Sequence, residues 1–249
     1  MPEHGRWRAR LAEDGDDLRA AQALRHAAFI EGGGAARRPG GLDADAFDAR
    51  CDHLLVEDGR TLAATFRMLP MPDGRAIGAS YSAQFYDLSA LAAFEGRVVE
   101  MGRFCIRPDL AGGAAAAQVL RVAWSAMTRY VDERGIGLLI GCSSFPGTDA
   151  AAHEEAFALL RERHLAPSRW GPAPKAPRIF RFARALAQRR ADAAAAMRRM
   201  PPLLRGYLGL GGWVSDHAVI DAEMNTLHVF TGVEVARVPA RMARRLRAT

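Results

Sequence analysis

A chain of 249 residues is about the size at which one hydrophobic core stops growing, which fits one large domain and excludes two independent enzyme domains. With 49% apolar and 25% charged residues the balance is globular, and a disordered, collagen-like or coiled-coil chain is excluded. The net charge of +6 rests on arginine, but Lys175 is the only lysine and alanine makes up about a fifth of the chain, so arginine richness reflects compositional bias as much as selected chemistry.

In chain order, LRAAQALRHAAFIE (18–31) places Leu18, Ala21, Leu24 and Ala28 on one face at helical spacing. GGGAARRPGG (32–41) is a glycine-rich loop. HLLVED and TLAATFRMLP read as two strands around Asp58-Gly59, and SYSAQFYDLSAL alternates before turning helical. RVVEMGRFCIRP is a strand ended by Pro108, the run from Gly113 to Tyr130 is the strongest helix, and LLIGCSSF is a buried strand, together a βαβ unit. HEEAFALLRERH (153–164) is a further helix, PAPKAP (172–177) a hinge, and TLHVFTGVEVARV (226–238) late strands. The expected organisation is one domain over 1–240, containing a basic helical segment at 175–205, followed by a basic tail at 241–249.

Three widely spaced cysteines, Cys51, Cys105 and Cys142, form no CxxC pair, so neither a disulfide framework nor a zinc site is expected and a reducing cytoplasm fits. The start, MPEHGRWRARLAEDGDD, has no apolar run for a signal peptide. The longest uncharged stretch, Gly135 to Thr148, is too short to span a bilayer. Neither GxGxxG nor a Walker loop is present, HEEAF lacks a second histidine, and GCSSFPG has Phe145 where a nucleophile elbow needs glycine. No metal site and no bound cofactor are expected.

Charge is unevenly spread. Lys175, Arg178, Arg181, Arg184, Arg189, Arg190, Arg198, Arg199 and Arg205 face Asp192 alone, and residues 237–249 hold five arginines and no acid, so the rest of the chain is net acidic. Such a segment attracts an anionic partner, an acidic protein or a phospholipid surface, or is simply a solvated face. Nucleic acid is not expected, since no reader motif accompanies the charge.

Chemistry concentrates in VVEMGRFCI, RPDLAGG and the helix that follows. A strand entering a glycine-rich turn and a helix N-terminus exposes backbone N–H groups to an anion, so Gly112 and Gly113, with Arg107 adding charge, suit a phosphate or phosphopantetheine; a plain structural turn is the alternative. Glu100 lies in an apolar strand, where a lone carboxylate needs a partner or a role, as a general base or amine ligand on one reading and in an ion pair on the other. A bulge at Met101-Gly102 would bring Glu100 and Arg103 to one side.

Read together, LRHAAF (24–29), DADAFDARCDHLLV (43–56), TFRML (65–69), YSAQFYDLSAL (81–91), EMGRFCIRPD (100–109) and GCSSFPGTD (141–149) resemble the L-ornithine N-acyltransferases of the GNAT superfamily, over about residues 18–240. The chain is also similar to the acyl-homoserine-lactone synthases, whose pattern falls on Arg25, Phe29, Asp45, Asp48, Arg67, Glu100 and Arg103; their tryptophan after the phenylalanine is replaced here by GGGAARR. The chain departs from the ornithine pattern at Ala27-Ala28, Ala83 and Phe104.

The resemblance implies an α/β, GNAT-like acyl-CoA N-acyltransferase fold, a mixed central sheet flanked by helices. It implies transfer of a 3-hydroxyacyl group from the phosphopantetheine of acyl carrier protein to the α-amine of L-ornithine, with no other cofactor. Glu100 and Arg103 would be catalytic, Glu100 as the base, and Arg25, Phe29, Asp45, Asp48 and Arg67 would bind the acceptor or form a buried ion network bracing it. A lactone synthase using S-adenosylmethionine and a non-catalytic carrier-binding or membrane-binding module are the alternatives. The basic segment would dock the acidic carrier or hold the protein on the inner face of the cytoplasmic membrane.

Overall fold

The computed structural model describes residues 3–36, 39–59 and 61–247. In chain order its main elements are β1 (Trp7–Leu11), α1 (Gly15–Arg25), β2 (Asp52–Asp58), β3 (Thr61–Met71), β4 (Arg97–Ile106), α2 (Ala114–Arg134), β5 (Ile136–Pro146), α3 (Glu154–Arg163), α4 (Phe182–Ala185), α5 (Ala193–Arg199), α6 (Pro202–Gly209), β6 (Trp213–Asp221), β7 (Thr226–Glu234) and α7 (Ala240–Arg247). Of the expected loop at 32–41, Arg37 and Arg38 lie outside the described residues.

Local chemistry explains the helix ends. Asp14 caps α1 by accepting from the N–H groups of Asp16 and Asp17, whose own carboxylates suit the positive end of the helix dipole. The helix then widens into a π-helical turn, His26–Glu31, so the expected continuous helix to Glu31 changes its hydrogen-bonding pattern at Arg25. Gly135, at φ 60°, closes α2 in the left-handed conformation that glycine adopts without penalty. The alternation expected at the start of SYSAQFYDLSAL is instead a 3-10 turn, Ser82–Gln84, followed by the two-residue strand Tyr86–Asp87, and the helix expected after it is a second 3-10 turn, Ser89–Ala93.

The described residues divide into two compact units, where one domain with a tail was expected. The first draws on residues 1–70, 101–136 and 240–249. Its strand order is Glu3–His4, β1, β2, β3 and the C-terminal part of β4, with β1–β2 and β2–β3 antiparallel and Leu54 opposite both Leu11 and Phe66. One stripe of α2, Val119, Val122, Ala123, Ala126, Met127 and Tyr130, is buried at three- and four-residue spacing, and Trp7 Nε1 of β1 donates to Gln118 at 3.1 Å. The expected tail is largely helical: α7 packs on α2, with Arg247 paired to Asp132 at 2.7 Å.

The second unit comprises residues 71–100 and 137–239, with strand order β4 (its first residues), β5, β7, β6 and the two-residue strand Ile179–Phe180. β5 and β7 run antiparallel without interruption from Thr226↔Pro146 to Glu234↔Leu138, and β6–β7 slips register between Val214 and Ala218. Alternation splits the side chains between two cores. Phe145, Val214, Leu227 and Val229 join Phe157, Phe182 and Leu204 from the helices, with Phe157 and Phe182 stacked at 5.1 Å. Leu138, Ile140, Trp213 and Phe230 join Tyr86, Leu88 and Leu91.

Candidate active site

In the first unit three arginines and three aspartates converge. Arg25 ends α1, Asp43, Asp45 and Asp48 come from the segment entering β2, Arg67 lies on β3 and Arg103 on β4. Arg25 reaches Asp43 Oδ2 at 3.1 Å, donates to the Asp43 carbonyl, and grips both oxygens of Asp48 at 2.9 and 2.7 Å. Arg67 spans Asp45 at 2.6 and 2.9 Å and touches Asp48 Oδ1 at 2.7 Å, while Gln22 donates to Asp48 Oδ2 at 2.9 Å. Arg103 closes the set on Asp43 at 3.1 Å and Asp45 at 3.4 Å.

Three cations meeting three anions are neutral as a set, which is how buried charge is tolerated. Burial opposes ionisation of Asp48, but the hydrogen bonds from Arg25, Gln22 and Arg67 outweigh it and hold the carboxyl well below the usual range. Asp45 is lowered as well, burial being offset by Arg67 and Arg103. His53, whose Nε2 lies 3.0 Å from the Asp48 carbonyl, is pushed down chiefly by burial, and burial pushes the nearby Cys105 thiol up to about 12, which leaves it a poor nucleophile. The network has a depth gradient. The side chains of Arg25, Asp43 and Asp48 are 1%, 1% and 4% exposed, whereas Asp45 is 21% exposed and Arg103 9%. The deep members form a brace, and Asp45 with Arg103 forms its open edge.

Arg103 itself stands at φ 54°, a left-handed conformation that costs a non-glycine residue about 1–2 kcal/mol and that its ion pairs hold in place. Phe104 packs against Phe66 with ring centroids 5.9 Å apart. Phe29 sits half-buried in the π-helical turn.

In the second unit Glu100 is 4% exposed, and its carboxylate is cradled by the Tyr81-Ser82 turn. Oε2 accepts from the Tyr81 N–H at 2.6 Å; Oε1 accepts from the Ser82 N–H at 2.7 Å and from Ser82 Oγ at 2.6 Å. Three donors aimed at two oxygens suit the ionised form. The partner a buried carboxylate needs is thus supplied by backbone and hydroxyl groups.

At the entrance to α2, Gly112 has φ 78° and Gly113 stands at the N-cap without a side-chain cap hydrogen bond. Arg107, expected to add its charge there, pairs with Asp109 at 2.7 Å. Two arginines of the basic segment are likewise occupied, Arg189 by Glu154 and Glu155 and Arg199 by the Ala152 carbonyl. Arg178, Arg181, Arg184, Arg190, Arg198 and Arg205 are exposed, beside Met197, which is 38% exposed.

Sequence reasoning missed Asp43, Gln22, His53 and Ser82. Asp43 carries the same signal as Asp45 and Asp48, an acid in the run DADAFD, whereas Ser82 is joined to Glu100 across 18 residues and leaves no local pattern.

Residues 24–121 match the family described as acetyltransferase (GNAT) domain. The chain is 38% identical over 234 residues to the L-ornithine N(alpha)-acyltransferase of Rhodobacter capsulatus, covering 90% of this chain and 88% of that protein. It is 30% identical over 251 residues to the protein of the same name from Agrobacterium fabrum, covering 95% and 84%. To the Brucella abortus protein of that name it is 30% identical over 250 residues, covering 95% and 87%.

Proposed function

The chain belongs to the L-ornithine N(alpha)-acyltransferase family and is an N-acyltransferase of GNAT fold, and on that premise we propose that it acylates the α-amine of L-ornithine. The donor is a 3-hydroxyacyl thioester on the phosphopantetheine of acyl carrier protein, and the product is N-acyl-ornithine, the first intermediate of ornithine lipid synthesis. The similarity over nine-tenths of the chain to proteins of that name is the observation that carries this reading.

The chemistry follows from charge. Ornithine arrives as an ammonium without a lone pair, so Glu100 removes one proton, directly or through a water. The amine nitrogen then bonds to the thioester carbonyl carbon, and a backbone N–H of the β4 strand steadies the oxyanion. Collapse breaks the C–S bond, and the second amine proton goes with the departing thiol. Within the first unit, Asp45 and Arg103 at the open edge of the ion network offer a carboxylate, which suits an amine, and a guanidinium, which suits a carboxylate, and the deep members hold them in place. The uncapped start of α2 receives the pantetheine phosphate.

The six exposed arginines of 178–205 meet the acidic carrier or the anionic inner face of the cytoplasmic membrane, where the lipid product leaves. No helix among the described residues is long and apolar enough to cross a membrane.

Mass spectrometry of lipid extracts from a host lacking aminolipids tests the reading. The intact chain yields N-acyl-ornithine, and Glu100→Gln lowers it by about a hundred-fold or more, the usual worth of a general base. A well-expressed protein that makes no acyl-ornithine refutes the acceptor; a level untouched by the substitution refutes Glu100 as base.

A further inference from the structure

Glu100 does not stand alone, and the group that governs it lies in a different segment. Ser82 is fully buried in the 3-10 turn Ser82–Gln84, and both its N–H and its hydroxyl donate to the same oxygen, Glu100 Oε1, at 2.7 and 2.6 Å. Ser82 Oγ also lies 3.3 Å from Cys142 Sγ of β5. A hydroxyl has one hydrogen, and here the carboxylate takes it, so the thiol is the donor in the second contact: Cys142 S–H to Ser82 Oγ–H to Glu100. The chain of donors runs one way and ends on the carboxylate.

We propose that Ser82 is a positioning residue for the acyl transfer, fixing the orientation of Glu100 and keeping its carboxylate ionised and ready to take the amine proton. This rests on the role given to Glu100 above. The titratable and charged groups about this turn in the second unit include the Tyr81 phenol, the Lys175 ammonium, which donates to the Ala83 carbonyl at 2.6 Å, the Cys142 thiol on β5 and, behind it, the Tyr86 phenol with His228 of β7 at 3.1 Å; burial holds His228 down at about 4, so it is neutral at working pH. Removing the hydroxyl withdraws a donor from the charged form of Glu100. The carboxyl then holds its proton to higher pH, and the acid limb of the rate profile moves up with it.

The test compares intact protein, Ser82→Ala and Ser82→Thr, with two readouts. Carbon-13 NMR titration of the glutamate side-chain carboxyls, with the Glu100 signal identified by its loss in Glu100→Gln, is expected to show an upward shift of about one pH unit in S82A and recovery in S82T. Steady-state rates with an acyl carrier thioester and ornithine are expected to show kcat down about ten-fold in S82A, KM for ornithine within about two-fold, and the acid limb displaced by the same amount as the titration. An unshifted carboxyl in folded S82A overturns the proposal whether or not ornithine is the acceptor. A lowered kcat with an unmoved acid limb overturns it too, since that describes a merely structural serine. If intact protein is inactive on ornithine while the titration shifts, the proposed acceptor fails and the coupling of Ser82 to Glu100 stands. Should S82A not fold, Ser82→Cys keeps the volume with a weaker donor and is expected to give a smaller shift of the same sign; no shift there overturns the proposal.

Discussion

Asp48 takes two arginines and a glutamine on its two oxygens while 4% exposed, so it is the residue on which the first unit's charge balance turns. Its folded-state carboxyl is held below the ordinary value of about 4, and so is that of Asp45. A carboxyl lowered by folding contributes stability that is complete above its unfolded value and is lost as pH falls through the folded one. Denaturant midpoints are therefore expected to be flat at neutral pH and to drop as acidification below about pH 4 strips charge from Asp45 and Asp48 and so removes ion pairs that Arg25 and Arg67 make in the buried network. Asp48→Asn is expected to lower unfolding free energy by about 3–5 kcal/mol at neutral pH and to shrink the acid-dependent part, checked by urea titration across pH. An acid dependence identical to that of the parent protein would show that these aspartates are not what acid attacks. The cluster is legible through the family resemblance, which marks Arg25, Asp45, Asp48, Arg67 and Arg103 together; only Glu100 stands out on its own, as a charge in an apolar strand. Asp43 was not separable from its neighbours, and Ser82, a small hydroxyl residue in a turn, looks like any other serine until the chain folds.

Among the elements, those with strong periodicity are legible nearly to their ends: α2, α3, β5 and β7 need only a buried stripe or an apolar run with glycine punctuation, whereas the strand Trp213–Asp221 is not read from the sequence. The 3-10 turn at Ser89–Ala93 stands where the sequence suggests a helix and the one at Ser82–Gln84 where it suggests alternation; hydrogen-bond closure decides among these forms, and composition does not encode it. The last arginines looked like a solvated tail, yet half-buried Met242 and Leu246, one turn apart, are enough to dock α7. At the β6–β7 pair Trp213 faces Gly232, and a β-carbon on Gly232 would stand 2.4 Å from the indole ring. Gly232→Ala is accordingly expected to displace Trp213 and to cost about 1–3 kcal/mol, read as a lower Tm with a change in tryptophan fluorescence. An unchanged Tm and spectrum would mean the indole has another place to go.

At the scale of the whole molecule, positive charge gathers on residues 178–205 and is answered only in part, by Glu154 and Glu155 on Arg189. Reversing Arg178, Arg184, Arg190 and Arg198 to Glu is expected to raise KM for the acyl carrier at low salt or to abolish sedimentation with anionic vesicles, leaving thermal stability nearly intact because these side chains are exposed. Unaltered KM and vesicle binding at low ionic strength would reduce the segment to a solvated surface. The first unit, meanwhile, is assembled from three separate stretches, and α7 is its last. On the ribosome that order matters: residues 101–136 are made early, the whole of 137–239 must follow, and only then does the helix that covers α2 exist. A nascent chain paused anywhere in that interval carries a first unit without its closing helix and with Asp132 still lacking Arg247. Translation speed through the second unit therefore sets how long the first stays unfinished.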